Sequence, residues 1–450
     1  MIGRDRALAI AQDALTIARQ RGADQAEAVV SGSDFSLTRF AESVIHQNLS
    51  RREAQLAVRV VFGKRVGSAA TGALTTDSIR RTVEEAVQMA RFQADNPDFV
   101  SLPGPQAIPE VETFVEATAS YTPEERARDV AMIVERAARE GFTAFGSHTT
   151  RVDELAVANS LGIAAYNAAT SGYLRTVIAG PDGTGYADYY DRDVRNISAG
   201  AVADEAVERA ARAQHPTRLE PGAYETIFLP YAVADIIRFP GYIAWNAQAV
   251  QEGRSFMVGK FGQQVVGANI SIWDDGLDLR GLAMPFDVEG VPKRRVDIIK
   301  NGVAMGVVYD SYSAQREGKT STGHAYANRW GRGAAPANMV MAGGDTSVQE
   351  MIASTERGLL VTRFHYTHCP DPLRVVMTGT TRDGTFLIEN GKISRPVFNL
   401  RIEASVLDLF SNVEALSRET KLSRDWWDTF VPVVPAIKVR NVHFSSGTEF

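Results

Sequence analysis

Histidine spacing gives the first indication of what chemistry this chain could perform. Zinc peptidases commonly carry two histidines one helical turn apart with a glutamate beside the first, so that both imidazoles lie on one helix face and the carboxylate lies beside the bound water. The chain has seven histidines, none followed by glutamate: His46, His148, His215, His324, His365, His368 and His443. The sequence therefore lacks this zinc signature.

The close pair of histidines is His365 and His368, which lie beside Cys369, the single cysteine of the chain. In a β-strand, residues three apart point to opposite faces, so only a turn at Cys369-Pro370 could bring these three side chains to one metal ion. A metal site is one hypothesis for this segment. The pattern favours the other, in which a strand ends here and leads into a Pro-Asp-Pro turn.

Other catalytic signatures are missing or have a simpler interpretation. The sequence contains no Gly-x-x-x-x-Gly-Lys-Ser/Thr phosphate loop and no Gly-x-Ser-x-Gly nucleophile elbow. Asp274 and Asp275 could bind a cation, but Gly276 follows immediately, which favours a turn. Trp426 and Trp427 are more typical of a core or subunit contact than of a ligand cage, because burying two indole rings removes a large area from water.

The segment 317–345 is rich in glycine, small and amide residues and poor in strand-forming residues. Loops this long in a compact domain are usually functional or mobile, and exposed backbone groups there could pair with an extended peptide. A plain surface loop is the alternative. If this segment does line a peptide channel, the candidate residues are Thr322, Gly323, His324 and Asn338.

Composition narrows the class of protein. The chain has 450 residues, 44% hydrophobic and 23% charged, which is ordinary globular composition with room for two or three domains. A net charge of -6 argues against a nucleic-acid partner, since phosphates attract basic surfaces. The single cysteine excludes an intrachain disulfide and fits a reducing, cytoplasmic location. The sequence predicts no signal peptide and no membrane span, because charges interrupt its apolar runs.

The first half of the chain predicts two copies of one unit, each a helix, a β-meander and a second helix. Gly22 ends the first helix, and Thr122-Pro123-Glu124-Glu125 opens its counterpart with a cap, a proline and a glutamate in the favoured positions. A proline-rich connector at 97–110 separates the copies. Positions that match at offsets of 118 to 121 residues are Gly22 with Gly141, Ile45 with Ile163, and Ala90 with Ala211.

Within these copies the periodicity predicts several elements. The second helix, from about 76 to 92, is expected to be capped by Thr76 or Asp77. The other predicted helices are at 1–20, 122–140 and 201–213, and the predicted strands are at 25–31, 35–49, 54–62, 155–166 and 173–179.

After His215-Pro216 the pattern becomes β-rich. Four dipeptides can take the positive φ values of a tight hairpin turn: Asp275-Gly276, Asn301-Gly302, Asp383-Gly384 and Asn390-Gly391. Predicted strands are at 225–229, 265–274, 281–286, 295–309, 374–380, 385–389, 392–402 and 431–444, and predicted helices are at 231–238, 241–250, 347–355 and 405–412. We therefore predict an α+β fold, with an N-terminal domain at 1–216 whose two units share a mixed sheet, and a β-rich domain at 217–450.

Four runs in the same order resemble the TldD/PmbA family, bacterial and archaeal peptidase-related proteins also named modulators of DNA gyrase. The first run is 56–69 (LAVRVVFGKRVGSA). The others are 321–325 (STGHA), 335–338 (APAN) followed by Gly343-Gly344, and 382–393 (RDGTFLIENGKI) with Pro396-Val397. The resemblance spans nearly the whole chain.

This family has two kinds of subunit, and the resemblance is to the PmbA, or TldE, kind. The TldD kind carries a His-Glu-x-x-x-His helix in its C-terminal half and binds zinc with help from a cysteine near its C-terminus. Here the corresponding stretches are 226–240, which has no histidine or glutamate, and 426–440, which has no cysteine. The resemblance implies no catalytic residue and no cofactor in this chain, with zinc in a TldD-type partner.

Three functions remain as hypotheses. The leading one is a non-catalytic, metal-free subunit that pairs with a TldD-type chain, as a heterodimer or larger, and helps to build a channel where unfolded or modified peptides are cut; without that partner a homodimer is expected. The second is a self-sufficient hydrolase that uses His365, His368 and Cys369, with His324. The third is a peptide-binding or regulatory protein without turnover.

Overall fold

In a computed structural model the chain folds into two parts, each built around its own large sheet. The structure describes residues 1–328, 331–424 and 430–447, so the predicted tryptophan pair at Trp426-Trp427 lies outside the described residues. Within the described ranges, several helices accompany a six-stranded and an eleven-stranded sheet. The predicted α+β class is confirmed. None of the helices in these ranges combines the length and apolar content needed to cross a bilayer.

The first part repeats one order of elements. Helix α1 (Arg4–Gln20) is followed by strands β1 (Gln25–Ala41), β2 (Val44–Phe62) and β3 (Arg65–Thr71) and by helix α2 (Thr76–Phe92). After a short helix α3 (Glu116–Ala119), the order recurs as α4 (Pro123–Ala138), β4 (Thr143–Asn159), β5 (Ala164–Ala179), β6 (Thr184–Asp191) and α5 (Ala199–Arg212). The two predicted helix-meander-helix units are therefore present.

These six strands form one sheet in the order β3-β2-β1-β4-β5-β6. Every neighbouring pair in residues 25–191, all of them described, is antiparallel, whereas the prediction was a mixed sheet. Helices α1 and α2 pack on one face through residues such as Ala28 and Val30. Because side chains alternate along a strand, Val29 points to the other face, where it packs with Phe286 of the second part.

Two predicted strands of the first part were too long because each spans a turn. The segment 35–49 contains the turn at Glu42-Ser43, whose φ values of 52° and 63° break the strand. The segment 155–166 contains the turn between β4 and β5. A single sequence gives little sign of these turns, because the residues on either side continue the strand pattern.

The predicted helix starts are right in one case and displaced in the other. Thr122 and Glu125 form the predicted reciprocal capping box of α4. At α2 the side chain of Thr75 accepts the N–H of Ser78, so the cap is one residue earlier than the predicted Thr76 or Asp77. Cap assignment from sequence is uncertain by a residue wherever several suitable side chains adjoin.

A close glycine contact occurs in both copies of the unit. A Cβ at Gly67 on β3 would overlap the Ala86 carbonyl oxygen and the Ala90 nitrogen of α2. A Cβ at Gly185 on β6 would overlap the Ala206 carbonyl oxygen and the Ala210 nitrogen of α5. The two glycines are 118 residues apart, so each copy needs glycine at the same point to let its second helix lie on its edge strand. This contact pairs Ala90 with Ala210 and corrects the predicted match to Ala211.

The second part follows a connection at 213–221 and has the following elements. They are β7 (Gly222–Phe228), α6 (Pro230–Ile243), α7 (Ala247–Gln251), β8 (Ile272–Asp274), β9 (Val296–Lys300), β10 (Val303–Ala304), α8 (Ser311–Arg316), β11 (Ala325–Asn328), β12 (Gly331–Ala334), β13 (Met339–Met341), α9 (Val348–Ala353), β14 (Arg357–Asp371), β15 (Val376–Glu389), β16 (Lys392–Pro396), β17 (Leu400–Ser405), α10 (Val406–Ser411), β18 (Val413–Leu422) and β19 (Val433–Gly447).

Five strands of this part pair in a closed ring. The order is β19-β17-β15-β14-β7, and β7 pairs again with β19. Strand β19 also pairs with β18 and with β13, through which the sheet continues to β8, β9 and β10. Residues of α6 and of β14, β15 and β19 share one large apolar core. The ring has no free edge, which removes a site for unwanted strand pairing.

The predicted turns of this part have mixed outcomes. Asn301-Gly302 and Asn390-Gly391 have positive φ at both residues and form the predicted hairpins β9-β10 and β15-β16. Asp383-Gly384 also has positive φ but lies inside β15. Asp275-Gly276 has neither positive φ nor a hairpin, because Asp275 follows the short strand β8 and leads into a loop.

Several predicted strands differ in extent. Most of 265–274 and all of 281–286 are loop, while 295–309 contains the hairpin β9-β10. Strand β14 was predicted only at its end, around His365 and Cys369. Its apolar residues pair with distant segments, which periodicity within a short window does not reveal.

The glycine contacts make a paired prediction. Gly67→Ala and Gly185→Ala should each lower the free energy of unfolding by about 1–3 kcal/mol, because the added methyl group forces strand and helix apart. Gly104→Ala is the control, since a Cβ there meets no atom within 4 Å. Thermal unfolding followed by circular dichroism measures the effect, and equal midpoints for all three variants would contradict the packing described here.

Candidate functional site

Three of the four predicted channel residues lie in one buried network around Asp274, the last residue of β8. The Nε2 atom of His324 lies 2.7 Å from Asp274 Oδ1, and neither side chain has any exposed area. The backbone N–H of Asn338 donates to Asp274 Oδ2 at 2.7 Å. Asn338 Nδ2 in turn donates to the carbonyl of Asp275 at 2.6 Å. The network therefore fixes the two ends of the glycine-rich segment against β8.

Thr322 and Gly323 hold the first end of this segment. Thr322 Oγ1 accepts the N–H of Tyr309 at 2.8 Å and lies 3.0 Å from the Tyr309 carbonyl oxygen. His324 Nδ1 lies 2.9 Å from the same hydroxyl. Gly323 has a φ of 74°, and a Cβ there would overlap the carbonyl group of Pro292, so this position requires glycine.

A hydroxyl, an imidazole and a carboxylate thus follow one another, as in a hydrolase triad, but burial and hydrogen bonding argue against nucleophilic chemistry. The Thr322 hydroxyl already contacts the Tyr309 backbone, and its single hydrogen cannot also serve a base. Burial and the Lys293 cation lower the pKa of His324. Burial alone would raise the pKa of Asp274, but His324 and Lys293 keep that pKa below its ordinary value. The arrangement is a structural clamp in which Asp274 is ionised at neutral pH.

Burial also limits what the predicted channel residues could contact. His324 is 0% exposed and Asn338 is 2% exposed, so their side chains position the segment and do not face solvent in this chain. Tyr326, in the hairpin β11-β12 that follows His324, is 44% exposed. Lining of a peptide channel by the segment stays a prediction.

A second charged network joins the two parts of the chain and was not predicted from the sequence. Arg59 Nη2 on β2 lies 2.7 Å from Glu27 Oε2 on β1 and 3.2 Å from Glu289 Oε1 in the second part. Burial alone would lower the pKa of Arg59, but the two carboxylates keep that pKa above its ordinary value. Glu27 and Arg59 are the single charged residues of the stretches 25–33 and 54–62, which was the available signal, but their partner Glu289 is 230 residues from Arg59.

Asp287 stabilises the loop that carries Glu289. Its Oδ1 accepts the N–H groups of Glu289 at 2.9 Å and Val291 at 3.0 Å, and its Oδ2 accepts the N–H of Ala325 at 2.7 Å. Burial and the neighbouring Glu289 carboxylate raise the pKa of Asp287 from 3.8 to about 7. The loop and the start of β11 therefore depend on one carboxyl group that changes protonation near neutral pH.

A third network, also missed, lies between β6 and the second part. The hydroxyl of Tyr186 donates to Asp188 Oδ2 at 2.7 Å, and that of Tyr173 does so at 3.1 Å. Lys421 Nζ donates to the Asp188 carbonyl at 2.6 Å and lies 4.9 Å from the ring centre of Tyr231 on α6. Burial raises the pKa of Asp188, while Lys421 and the two hydroxyls oppose that shift. In the sequence, the available sign of this network was that tyrosines alternate with Asp188 along β6.

The hypothesis of a metal site at His365, His368 and Cys369 is not supported by the geometry. All three lie on β14, which has register irregularities between His365 and His368 and between His368 and Asp371. Across residues 1–328, 331–424 and 430–447, no group of three or more His, Cys, Asp or Glu side chains is placed to hold a metal ion. The other interpretation of this segment, a strand that ends here and leads into a turn, is nearly right. Strand β14 continues to Asp371 before the chain turns.

Helix α6 occupies the stretch that corresponds by resemblance to the zinc helix of TldD-type chains. Most of its residues are buried, from Tyr231 to Gly241. It packs among Phe228, Phe364 and other residues of the large core. Asp235 is its one acidic residue, and its Oδ1 lies 3.5 Å from Thr367 Oγ1. This helix is a core element here.

Removing the carboxylate of Asp274 tests the clamp. Asp274→Ala should lower the free energy of unfolding by about 3–5 kcal/mol, because His324 and the Asn338 N–H lose their buried partner. Asp13→Ala, at an exposed position of α1, is the matched control. Chemical denaturation gives both values, and a loss no larger at Asp274 than at Asp13 would count against the clamp.

The raised pKa of Asp287 predicts a pH effect of definite sign. The folded state favours the protonated carboxyl, so this contribution is complete below the unfolded value of 3.8 and is lost as pH rises towards about 7. Relative to Asp287→Asn, the wild-type chain should therefore lose stability across that window by at most about 1.4 kcal/mol per pH unit. Thermal unfolding of both proteins at several pH values measures the difference, and parallel profiles would contradict the shift.

Comparison with known proteins supports the family resemblance. Residues 221–446 match the PmbA/TldA metallopeptidase C-terminal domain, and residues 26–90 match domain 1 of the same metallopeptidases. The chain is 27% identical to metalloprotease PmbA of Escherichia coli O157:H7 over 424 residues, which covers 90% of this chain and 89% of that protein. It is 26% identical to a metalloprotease TldD homologue of Haemophilus influenzae over 171 residues, which covers 37% of this chain and 35% of that protein.

The fold has a close counterpart among solved structures. The crystal structure of TldE from Thermococcus kodakarensis superposes with a TM-score of 0.90 at 21% identity, covering 97% of this chain and 100% of that one. At this identity the likeness shows a shared fold. Since the matched C-terminal domain alone spans half of the chain, the chain belongs to the PmbA/TldD metallopeptidase family.

Proposed function

We propose that this chain is the metal-free, non-catalytic subunit of a heteromeric zinc peptidase in the cytoplasm, in which a TldD-type partner carries the catalytic ion. The observation that carries the proposal is the composition and burial of α6. Its fourteen residues include no histidine, cysteine or glutamate, and most of them are core residues. The substrates are unfolded or modified peptides.

The donor set of α6 does not fit a zinc ion. Zinc in proteins is bound by histidine nitrogen, cysteine sulfur and carboxylate oxygen, usually with three or four protein ligands. Asp235 is the one such side chain on α6, and it is 2% exposed beside Thr367. The stretch 426–440, which corresponds by resemblance to the cysteine-bearing tail of TldD-type chains, contains no cysteine. No step of peptide hydrolysis is therefore assigned to residues of this chain.

The contribution of this subunit is a rigid surface beside the cleavage site. The clamp at Asp274 and His324 and the loop held by Asp287 both lead to the hairpin β11-β12, whose described residues, 325–328 and 331–334, belong to neither large sheet. Backbone groups of such a hairpin can pair with an extended peptide, as strand edges do in peptide recognition. Support for the proposal thus comes from both the missing zinc donors and a well-anchored hairpin.

Mixing two purified proteins tests the partner role. The isolated chain should hold less than stoichiometric zinc and should not cleave a denatured peptide, whereas a mixture with a TldD-type chain should cleave it. Metal analysis, size-exclusion chromatography and mass spectrometry of the products give the three readouts. Zinc-dependent cleavage by this chain alone would overturn the proposal, and affinity for the peptide without cleavage by the mixture would favour a binding protein.

Matched substitutions locate the catalytic ion. Replacing the glutamate of the partner's His-Glu-x-x-x-His motif with glutamine should abolish cleavage by the mixture, because that carboxylate serves the zinc-bound water. Asp235→Asn in this chain should leave cleavage unchanged once folding is confirmed by circular dichroism. Loss of cleavage in a folded Asp235→Asn mixture would place chemistry on α6.

A further inference from the structure

The six-stranded sheet has two places where a long inner strand extends beyond the edge strand beside it. Strand β3 pairs with residues 56–62 of β2, so 44–55 extend beyond it. Strand β6 pairs with residues 172–179 of β5, so 164–171 extend beyond it in the same way. Because the two units repeat one order of elements, these two open edges are counterparts.

The open edge of β5 is covered by the stretch 111–115, which precedes α3. The N–H of Thr170 donates to the carbonyl oxygen of Thr113 at 3.0 Å. The hydroxyl of Thr113 in turn donates to the carbonyl oxygen of Ala168 at 2.7 Å. Val115 has extended backbone angles, with φ -127° and ψ 115°. An extended segment of this chain therefore pairs with the edge and buries it, so that Thr170 is 3% exposed.

The counterpart edge of β2 has no such cover. The two close-contact glycines are 118 residues apart, and at this spacing Thr170 corresponds to Arg52. Ala168 corresponds to Ser50 at the same spacing. Residues 46–53 are all exposed, and in the part of the chain that the structure describes no backbone group pairs with their outer side.

Alternation along β2 shows which backbone groups face this edge. The carbonyl oxygen of Ala54 faces Gly72, the residue that follows β3. In an antiparallel sheet the N–H and C=O of every second residue point to the same edge, and the pairing of 47–61 with β1 is unbroken. The other residues that direct both groups outwards are therefore Asn48, Ser50 and Arg52.

Two arginines bear on what can occupy this edge. Arg51 and Arg52 point to opposite faces, and their side chains are 58% and 81% exposed. Antiparallel pairing of two copies about these residues would bring like charges together, and charged side chains on an edge commonly prevent such self-pairing. A peptide is not limited in this way, because pairing through the main chain accepts many sequences.

We propose that the edge of β2 at 48–52 binds an extended peptide as an added strand, with the Arg52 N–H donating to the peptide backbone and the Ser50 carbonyl accepting from it. The stretch 111–115 occupies the equivalent place in the second unit. The proposal rests on the proposed function only in taking the ligand to be a peptide. It gives this subunit a hold on unfolded segments of many sequences, because folded segments have already paired their backbone groups.

Hydrogen exchange of the isolated chain tests the location of the site. The probe is a synthetic peptide with the sequence of residues 109–117 (PEVETFVEA), which includes the stretch that covers β5. With a Kd on the order of 0.1 mM, about 1 mM peptide should slow amide exchange at 48–52 about tenfold. Unchanged exchange there, or slowing confined to the hairpin β11-β12, would overturn the proposal. Slow exchange at 48–52 in a dimeric chain without peptide would also overturn it, since a second copy would then occupy the edge.

Substitutions at one position separate the backbone from the side chain. Arg52→Pro removes the outward N–H and places a ring on the edge, so it should weaken peptide binding at least about tenfold. Arg52→Ala keeps the N–H and is the matched control, which should bind within about threefold of wild type. Calorimetric titration measures both variants once circular dichroism has shown that they fold. Equal affinities of the folded variants would contradict recognition through the main chain.

Two modified peptides give a test that does not depend on the Arg52→Pro variant. One carries N-methyl groups at the positions of residues 111, 113 and 115, and the other at those of 112 and 114. An added strand pairs along one of its edges, so one modified peptide should bind like the parent and the other should not bind detectably. Binding of both, or of neither, would count against an added strand.

These measurements need neither the partner nor zinc. Failure of the peptide to bind would remove the site on β2 and leave the partner role standing, whereas cleavage by this chain alone would remove the partner role without bearing on β2. Slower exchange at 48–52 with a TldD-type chain but not with the peptide would overturn the proposal and place the partner on this edge.

Discussion

The ionisable side chains buried between the two parts of this chain are stable there because each is surrounded by groups that replace water. Arg59 has carboxylates from both parts, and Asp188 has two tyrosine hydroxyls and a lysine. Breaking such a contact would leave a charge in a medium where it is poorly solvated, which costs far more than parting two apolar surfaces of similar size. These contacts therefore fix the relative placement of the two parts in direction as well as in distance.

Much of the fold could be predicted because local sequence and tertiary structure agree. The capping box at Thr122, the glycine after α1 and the two Asn-Gly hairpins depend on residues within a few positions of one another, and all are present. The repeated unit was visible for the same reason. Strand β14 and the ring closed by β7 and β19 depend instead on pairing between segments far apart in the chain, which no local pattern encodes.

The candidate site shows the same division. Thr322, Gly323, His324 and Asn338 stood out by residue type within one unusual segment, and three of them do converge. Asp274, the partner of His324 and Asn338, resembles a turn residue in the sequence because Gly276 follows it, and no local pattern marks Glu289. A buried carboxylate and an exposed one look alike in a single sequence, so the network that decides the role of His324 became visible only with the fold.

The closed ring has a consequence for how the protein is made. Strand β7 is synthesised about two hundred residues before β19, yet it cannot complete its pairing until β19 has emerged from the ribosome. The six-stranded sheet, in contrast, has all its strands available by residue 191. The nascent chain thus carries a finished first layer and a long, unpaired β-rich segment at the same time, which is the stage when it most needs protection from aggregation.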